Sequence, residues 1–179
     1  LDFTEKLKPV YKSIEITRKK LNRNKSLISF IGAPWTLLVY MIGAKQSNNE
    51  INFKVINREK DKISLILEKL INYLCLHIKN QIKAGADVVQ IFDSWAGLIP
   101  QGDLESFCYA PNSKIVEFCK KKGIPVICFP RGIRNYKDYC EIIKPDAICI
   151  DYEVDPFKIS KEIKIPVQGG MNPKVLLTD

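Results

Sequence analysis

Five short apolar segments are spaced along the chain, and a helical or helix-opening stretch follows each one. This alternation restricts the fold more than any other feature. The segments span residues 26–31, 87–92, 125–129, 147–150 and 166–168. They are apolar on both faces instead of alternating with polar residues, as strands of a buried parallel sheet are. Pro34 suits the first turn of the helix after the first segment, and residues 37–42 continue it. A long helix is expected before the second segment, with Ile63, Ile66, Leu67, Leu70, Leu74 and Ile78 on one face, Asp61 as its cap and Gly85 as its stop. Further helices are expected over 112–122, 135–144 and 157–162, and Pro173 opens another. An N-terminal helix is expected over 1–21, a polar loop over 43–53 and a second loop over 93–102.

Repeated strand-then-helix units predict a parallel sheet covered by helices. Two closures compete, an open doubly wound sheet and a (β/α)8 barrel of the TIM type. No Gly-x-Gly-x-x-Gly follows the first strand, which counts against a dinucleotide-binding sheet. Eight units need about 250 residues. A chain of 179 residues with about five βα units is therefore expected to hold an incomplete barrel. No repeat or low-complexity linker divides it, so residues 1–179 are read as part of a single domain.

Composition narrows the function classes. Hydrophobic residues make up 46% and charged residues 27%, a globular balance. No apolar run reaches the roughly 20 residues of a membrane helix. The first residues show no signal-peptide pattern. The chain begins with Leu1 instead of Met, so it is read as cut from something longer. Six cysteines are irregularly spaced and form no Cys-x-x-Cys pair, which fits reduced thiols in a cytoplasmic protein, with Cys128 and Cys149 as small buried hydrophobes. The single histidine, His77, lies mid-helix and is read as a helix-face residue, so no metal site is expected. The net charge of +8 comes from 28 basic residues, mostly lysines scattered over helix faces. No basic stripe interleaved with aromatics is present, so neither nucleic acid nor membrane is expected as a partner.

In either closure, ligands meet the sheet at the carboxyl ends of its strands. Distinctive residues stand there each time. Gly32-Ala33-Pro34-Trp35-Thr36, with Tyr40 a turn later, follows the first strand, and Asp93-Ser94-Trp95-Ala96-Gly97 the second. Pro130-Arg131-Gly132, Asp151-Tyr152 and Gly169-Gly170-Met171-Asn172-Pro173 follow the others. Taken singly, each has a structural explanation. Glycine and proline serve turns, Trp35 and Trp95 suit a core with each indole N–H finding a partner, and Asp93 and Asp151 suit caps. Taken together, the hydroxyls of Tyr40 and Ser94 and the Arg131 cation offer donors to carboxylates.

These rim segments resemble the uroporphyrinogen decarboxylase family. Phe30-Ile31-Gly32-Ala33-Pro34-Trp35-Thr36-Leu37 through Tyr40-Met41 is similar to that family's Gly-Ala-Pro-Trp-Thr signature with its downstream Tyr. Gln90-Ile91-Phe92-Asp93-Ser94-Trp95-Ala96-Gly97 is similar to its Phe-Asp-Ser/Thr-Trp segment. Phe129-Pro130-Arg131-Gly132 and Gln168-Gly169-Gly170-Met171-Asn172-Pro173 match later segments, the last with Gly170 and Asn172 where Asn and Asp are expected. The resemblance implies a homodimeric barrel enzyme that needs no metal or cofactor. It removes CO2 from the four acetate side chains of uroporphyrinogen III to give coproporphyrinogen III in heme biosynthesis. Tyr40 and Ser94 match substrate-binding positions, Arg131 joins them as a rim cation, and Trp35 and Asp93 are read as scaffolding.

The family's arginine-bearing segment and its pyrrole-facing Asp are expected upstream of Leu1, and its substrate-contacting His beyond Asp179. No catalytic residue is therefore expected in this chain, and by itself it is expected to be inactive. Two rival readings are a related corrinoid or thiol methyltransferase barrel and a non-catalytic barrel fragment. The methyltransferases use zinc with a His-x-Cys pair, which does not occur here.

Overall fold

The computed structural model describes residues 2–43 and 51–177, apart from the side chains at 54 and 55. Leu1 and residues 44–50 of the expected polar loop lie outside them. The N-terminal helix is two helices. α1 (Phe3–Lys6) is capped by Asp2, whose Oδ1 accepts from the Thr4 N–H at 3.0 Å. α2 (Lys8–Lys20) starts afresh after Leu7, with Pro9 in its first turn. Proline lacks the N–H that would bond the carbonyl of Glu5, and its ring crowds that carbonyl, so one continuous helix is broken here.

Next come β1 (Ile28–Gly32), α3 (Pro34–Met41) and α4 (Phe53–Arg58), the last starting at the end of the expected 43–53 loop, where no element was expected. α5 (Lys60–Ala84) follows. Asp61 is not its cap: Glu59 stands at that position without a side-chain bond, and Asp61 lies in the first turn, its charge near the positive end of the helix dipole. Gly85 stops α5 in the left-handed conformation, φ 111°, as expected of a glycine there.

After β2 (Val88–Asp93) the chain makes 3-10 turns at Ala96–Leu98 and Gln101–Asp103 and a π turn at Glu105–Tyr109 before α6 (Ala110–Lys121). Then come β3 (Val126–Pro130), α7 (Tyr136–Ile143), β4 (Ala147–Ile150), α8 (Pro156–Glu162) and β5 (Val167–Gly169). Asn135 caps α7 and Asp155 caps α8, each accepting backbone N–H groups of the first turn. The expected final helix is a 3-10 turn over Pro173–Leu177.

Each strand lies parallel to its chain neighbours, in the order β1-β2-β3-β4-β5. A doubly wound sheet reverses its strand order at a switch point. No reversal occurs among the described strands, and unbroken sequential order is that of a (β/α)8 barrel. Five βα units of such a barrel are present.

Register divides the strand residues between two faces. Ser29, Val89 and Val126 share one row, and Ile31, Ile91, Cys128 and Ile148 the next. These are buried beneath the helices with Leu67, Leu74, Ile78, Ile115, Val116 and Tyr139. The opposite face carries Phe30, Phe92 and Phe129, whose rings meet edge to face at 5.8 and 5.9 Å. Phe30 is 66% exposed there. Cys128 is a buried hydrophobe as expected, but Cys149 belongs to this second face and is only half-buried. The cysteines are free thiols, and burial pushes Cys119 and Cys128 up to about 12. No helix among the described residues is long and apolar enough to cross a membrane.

Candidate active site

The site is built at the carboxyl ends of β1 to β4, and α3 is its first wall. The Ala33 N–H bonds Phe92 O at 2.8 Å, fastening the start of α3 to the end of β2. Trp35 is 0% exposed, stacked between Phe53 and Phe107, and its Nε1 donates to Trp95 O at 3.1 Å. Thr36 Oγ1 donates to Asp93 Oδ1 at 2.9 Å. Trp35 is thus core and brace together. One helical turn beyond Thr36, Tyr40 stands 51% exposed with its ring edge-on to Trp95, centroids 6.2 Å apart.

Asp93 does not cap a following segment. It falls on the helix-facing side of β2, 1% exposed, and accepts from Asn112 Nδ2 at 3.0 Å and Cys108 Sγ at 3.4 Å as well as from Thr36. Burial pushes its pKa above the ordinary carboxylate value, and the donated hydrogen bonds oppose that only in part. Ser94, the next residue, has the opposite fate and lines the rim cleft. Trp95 lines the cleft too; its Nε1 is buried and finds no acceptor among the described residues, unlike that of Trp35.

The loops after β2 and β3 are joined backbone to backbone. The Arg131 N–H donates to Asp93 O at 3.1 Å, and the Gly97 N–H donates to Arg131 O at 2.9 Å. A Cβ on Gly97 would lie 2.6 Å from Gly132 O, so only glycine permits this approach. Gly132 itself holds φ 76°. Arg131 Nε donates to Asp151 Oδ2 at 2.9 Å, while Asp151 Oδ1 accepts from the Tyr152 N–H at 2.8 Å. Asp151 does not cap the following helix, whose cap is Asp155; its carboxylate accepts the next N–H and also holds a cation.

The result is a cleft of 640 Å³ lined by Tyr40, Ser94, Trp95, Arg131, Asp151 and Glu153, among others. A hollow of 420 Å³ adjoins it, sharing Ser94, Arg131 and Asp151 and reaching Gly170, Met171 and Pro173. Tyr40, Ser94 and Arg131, separated by up to 91 positions in the chain, are brought to one cavity. Two hydroxyls and a guanidinium around one cleft can donate to carboxylate oxygens. Sequence reasoning missed Glu153, which follows the rim residues of β4 and carries no motif of its own. No group of three His, Cys, Asp or Glu side chains able to hold a metal ion occurs among the described residues. His77 is on the helix layer, bonded to Tyr11 and Gln81, as the helix-face reading expected.

Comparison with known proteins agrees with this geometry. The family model described as uroporphyrinogen decarboxylase matches residues 1–179. Curated relatives named uroporphyrinogen decarboxylase include one from Orientia tsutsugamushi (strain Ikeda), 40% identical over 183 residues, covering 97% of this chain and 52% of the relative. Another, from Rickettsia bellii (strain RML369-C), is 35% identical over 181 residues, covering 98% of this chain and 53% of the relative. A third, from Campylobacter concisus (strain 13826), is 40% identical over 170 residues, covering 92% and 49%. The chain spans about half the length of these relatives. With its motifs, strand order and family match in agreement, the chain belongs to the uroporphyrinogen decarboxylase family.

Proposed function

We propose that this chain is part of a uroporphyrinogen decarboxylase and carries a portion of its carboxylate-binding rim. The observation that supports this most is the meeting of Tyr40, Ser94 and Arg131 at one cleft on the carboxyl side of a parallel barrel sheet. The substrate is a cyclic tetrapyrrole bearing eight carboxylates. Protonation of a pyrrole at the carbon that bears an acetate turns the ring into an electron sink. The bond to CO2 then breaks, and its electron pair forms an exocyclic C=C that neutralises the cationic ring. A proton adds to that CH2 to make the methyl, and the ring carbon gives up the proton it took. No cofactor is needed for this step. In this reading Tyr40 and Ser94 hold carboxylates or a water beside them, and Arg131 binds one carboxylate as a cation. The proton donor and the group facing the pyrrole N–H atoms are assigned to no residue of this chain. The full-length protein is a cytoplasmic homodimer in this reading.

The test is decarboxylation by a full-length protein containing this chain, followed by chromatography of the oxidised porphyrins. Tyr40→Phe and Ser94→Ala should each reduce kcat/KM about ten- to a hundredfold, the loss of one or two charge-assisted hydrogen bonds. Variants as active as the unsubstituted protein would remove these residues from the site. The 179-residue chain alone should yield little or no coproporphyrinogen.

A further inference from the structure

Arg131 is held in an unusual way for a rim cation. Its backbone is fixed on both sides, by Asp93 O and by the Gly97 N–H, so its Cα cannot drift from Ser94. Its side chain is 53% exposed, yet its Nε is tied to Asp151, whose side chain is only 13% exposed. Asp151 is itself anchored through its other oxygen by the Tyr152 N–H. A guanidinium bound through Nε keeps its Nη edge for another acceptor. Among the described residues no protein acceptor meets Nη1 or Nη2 of Arg131. The cleft and the adjoining hollow share Ser94, Arg131 and Asp151, so the cation stands where the two meet.

We propose that Asp151 is a positioning residue that orients Arg131, so that the free Nη edge receives one substrate carboxylate at the junction of the two hollows. This role rests on the decarboxylase reading. Two effects of Asp151 oppose each other. Its negative charge repels an incoming carboxylate, while its grip fixes the fork in a planar geometry that a carboxylate matches. Asp151 is only 13% exposed, so salt screens it little, but its charge is already paired with Arg131 at 2.9 Å, which leaves little net repulsion. Misplacement of a binding group by about an ångström is costly, up to a hundredfold. Orientation therefore outweighs repulsion, and removing the Asp151 charge weakens substrate binding.

The experiment uses a full-length protein containing this chain, with uroporphyrinogen as substrate. Asp151→Asn should raise KM about five- to tenfold, with a smaller fall in kcat, since the chemical groups are untouched. In an Arg131→Gln background the same substitution should change KM less than about twofold, because a partner acting through Arg131 has nothing left to act on. The Nε–H of Arg131, followed by nitrogen-15 NMR, should exchange slowly with solvent in the unsubstituted protein and quickly in Asp151→Asn. If Asp151→Asn does not fold, Asp151→Glu reads the same displacement while keeping the charge. Unchanged KM with a lowered unfolding midpoint would reduce Asp151 to a structural turn residue and overturn the role alone. Equal KM effects in both backgrounds would also overturn it. No turnover by the unsubstituted protein would overturn the decarboxylase reading and this role together.

Discussion

Asp93 lies under the rim, accepting from Thr36, Asn112 and Cys108 in a place closed to water. Asp93→Ala would strand the Thr36 and Asn112 donors and open a cavity, a loss of about 2–4 kcal/mol measurable by urea unfolding. Burial raises its pKa from 3.8, so folding favours its protonated form. Its contribution to stability is complete below 3.8 and is lost as pH rises through the higher folded value. Unfolding free energies measured at stepped pH from 3.8 upward should therefore fall in the native protein and stay flatter in Asp93→Asn. Parallel curves would contradict this. Gly97→Ala, with Gly132 O in the way, should cost about 1–3 kcal/mol by overpacking. Tyr40, Ser94 and Arg131 were legible as site candidates because strand ends of any parallel α/β sheet face the ligand. Asp93 was read as scaffolding, with capping as its explanation when taken singly. That it turns inward instead was hidden because β2 is apolar on both faces, and such a strand does not show which side its last residue takes. Glu153 was missed because nothing in its neighbourhood marks a residue past the strand end as lining a cleft.

At the scale of elements, α2 docks on α5 through a chain of hydrogen bonds. Tyr11 Oη meets His77 Nδ1 at 2.9 Å, His77 Nε2 meets Gln81 Nε2 at 3.0 Å, and Gln81 Nε2 donates to Phe30 O at 3.1 Å. Gln81 is a donor on both contacts, so His77 must accept at Nε2 and is neutral in the fold. Burial lowers its pKa from 6.5. The stability it contributes is present above 6.5 and is lost as pH falls through the lower folded value. Amide hydrogen exchange in α2, corrected for intrinsic rates, should therefore lose protection below pH 6.5 before the sheet does. His77→Phe should show no such acid step. The same elements show where patterning stops being informative. The apolar face of α2 was visible, but the break at Leu7 depends on a single proline. α4 has six residues, too few for a helical period to declare itself. The start of α5 was placed two residues off because Asp61 has the chemistry of a cap and Glu59, which holds that place, does not.

For the whole molecule, the parallel five-unit order was legible because buried strands and amphipathic helices alternate without interruption. That the sheet belongs to a barrel was legible from the missing dinucleotide motif and from the rim motifs, and strand order now agrees. β1 and β5 each have one strand neighbour among the described residues, and the Phe30 ring is largely exposed beside β1. A parallel sheet with free edges and an exposed aromatic face invites association. Size-exclusion chromatography of the 179-residue chain should accordingly show aggregates or mixed oligomers, and a discrete, cooperatively unfolding monomer would contradict that expectation. The central claim is that this chain carries a carboxylate-binding rim of a uroporphyrinogen decarboxylase. The most direct measurement is uroporphyrinogen turnover by a full-length protein containing the chain, with and without Tyr40→Phe. The account predicts conversion to coproporphyrinogen and a clear loss of kcat/KM in the variant. No coproporphyrinogen, or equal turnover by both proteins, would contradict it.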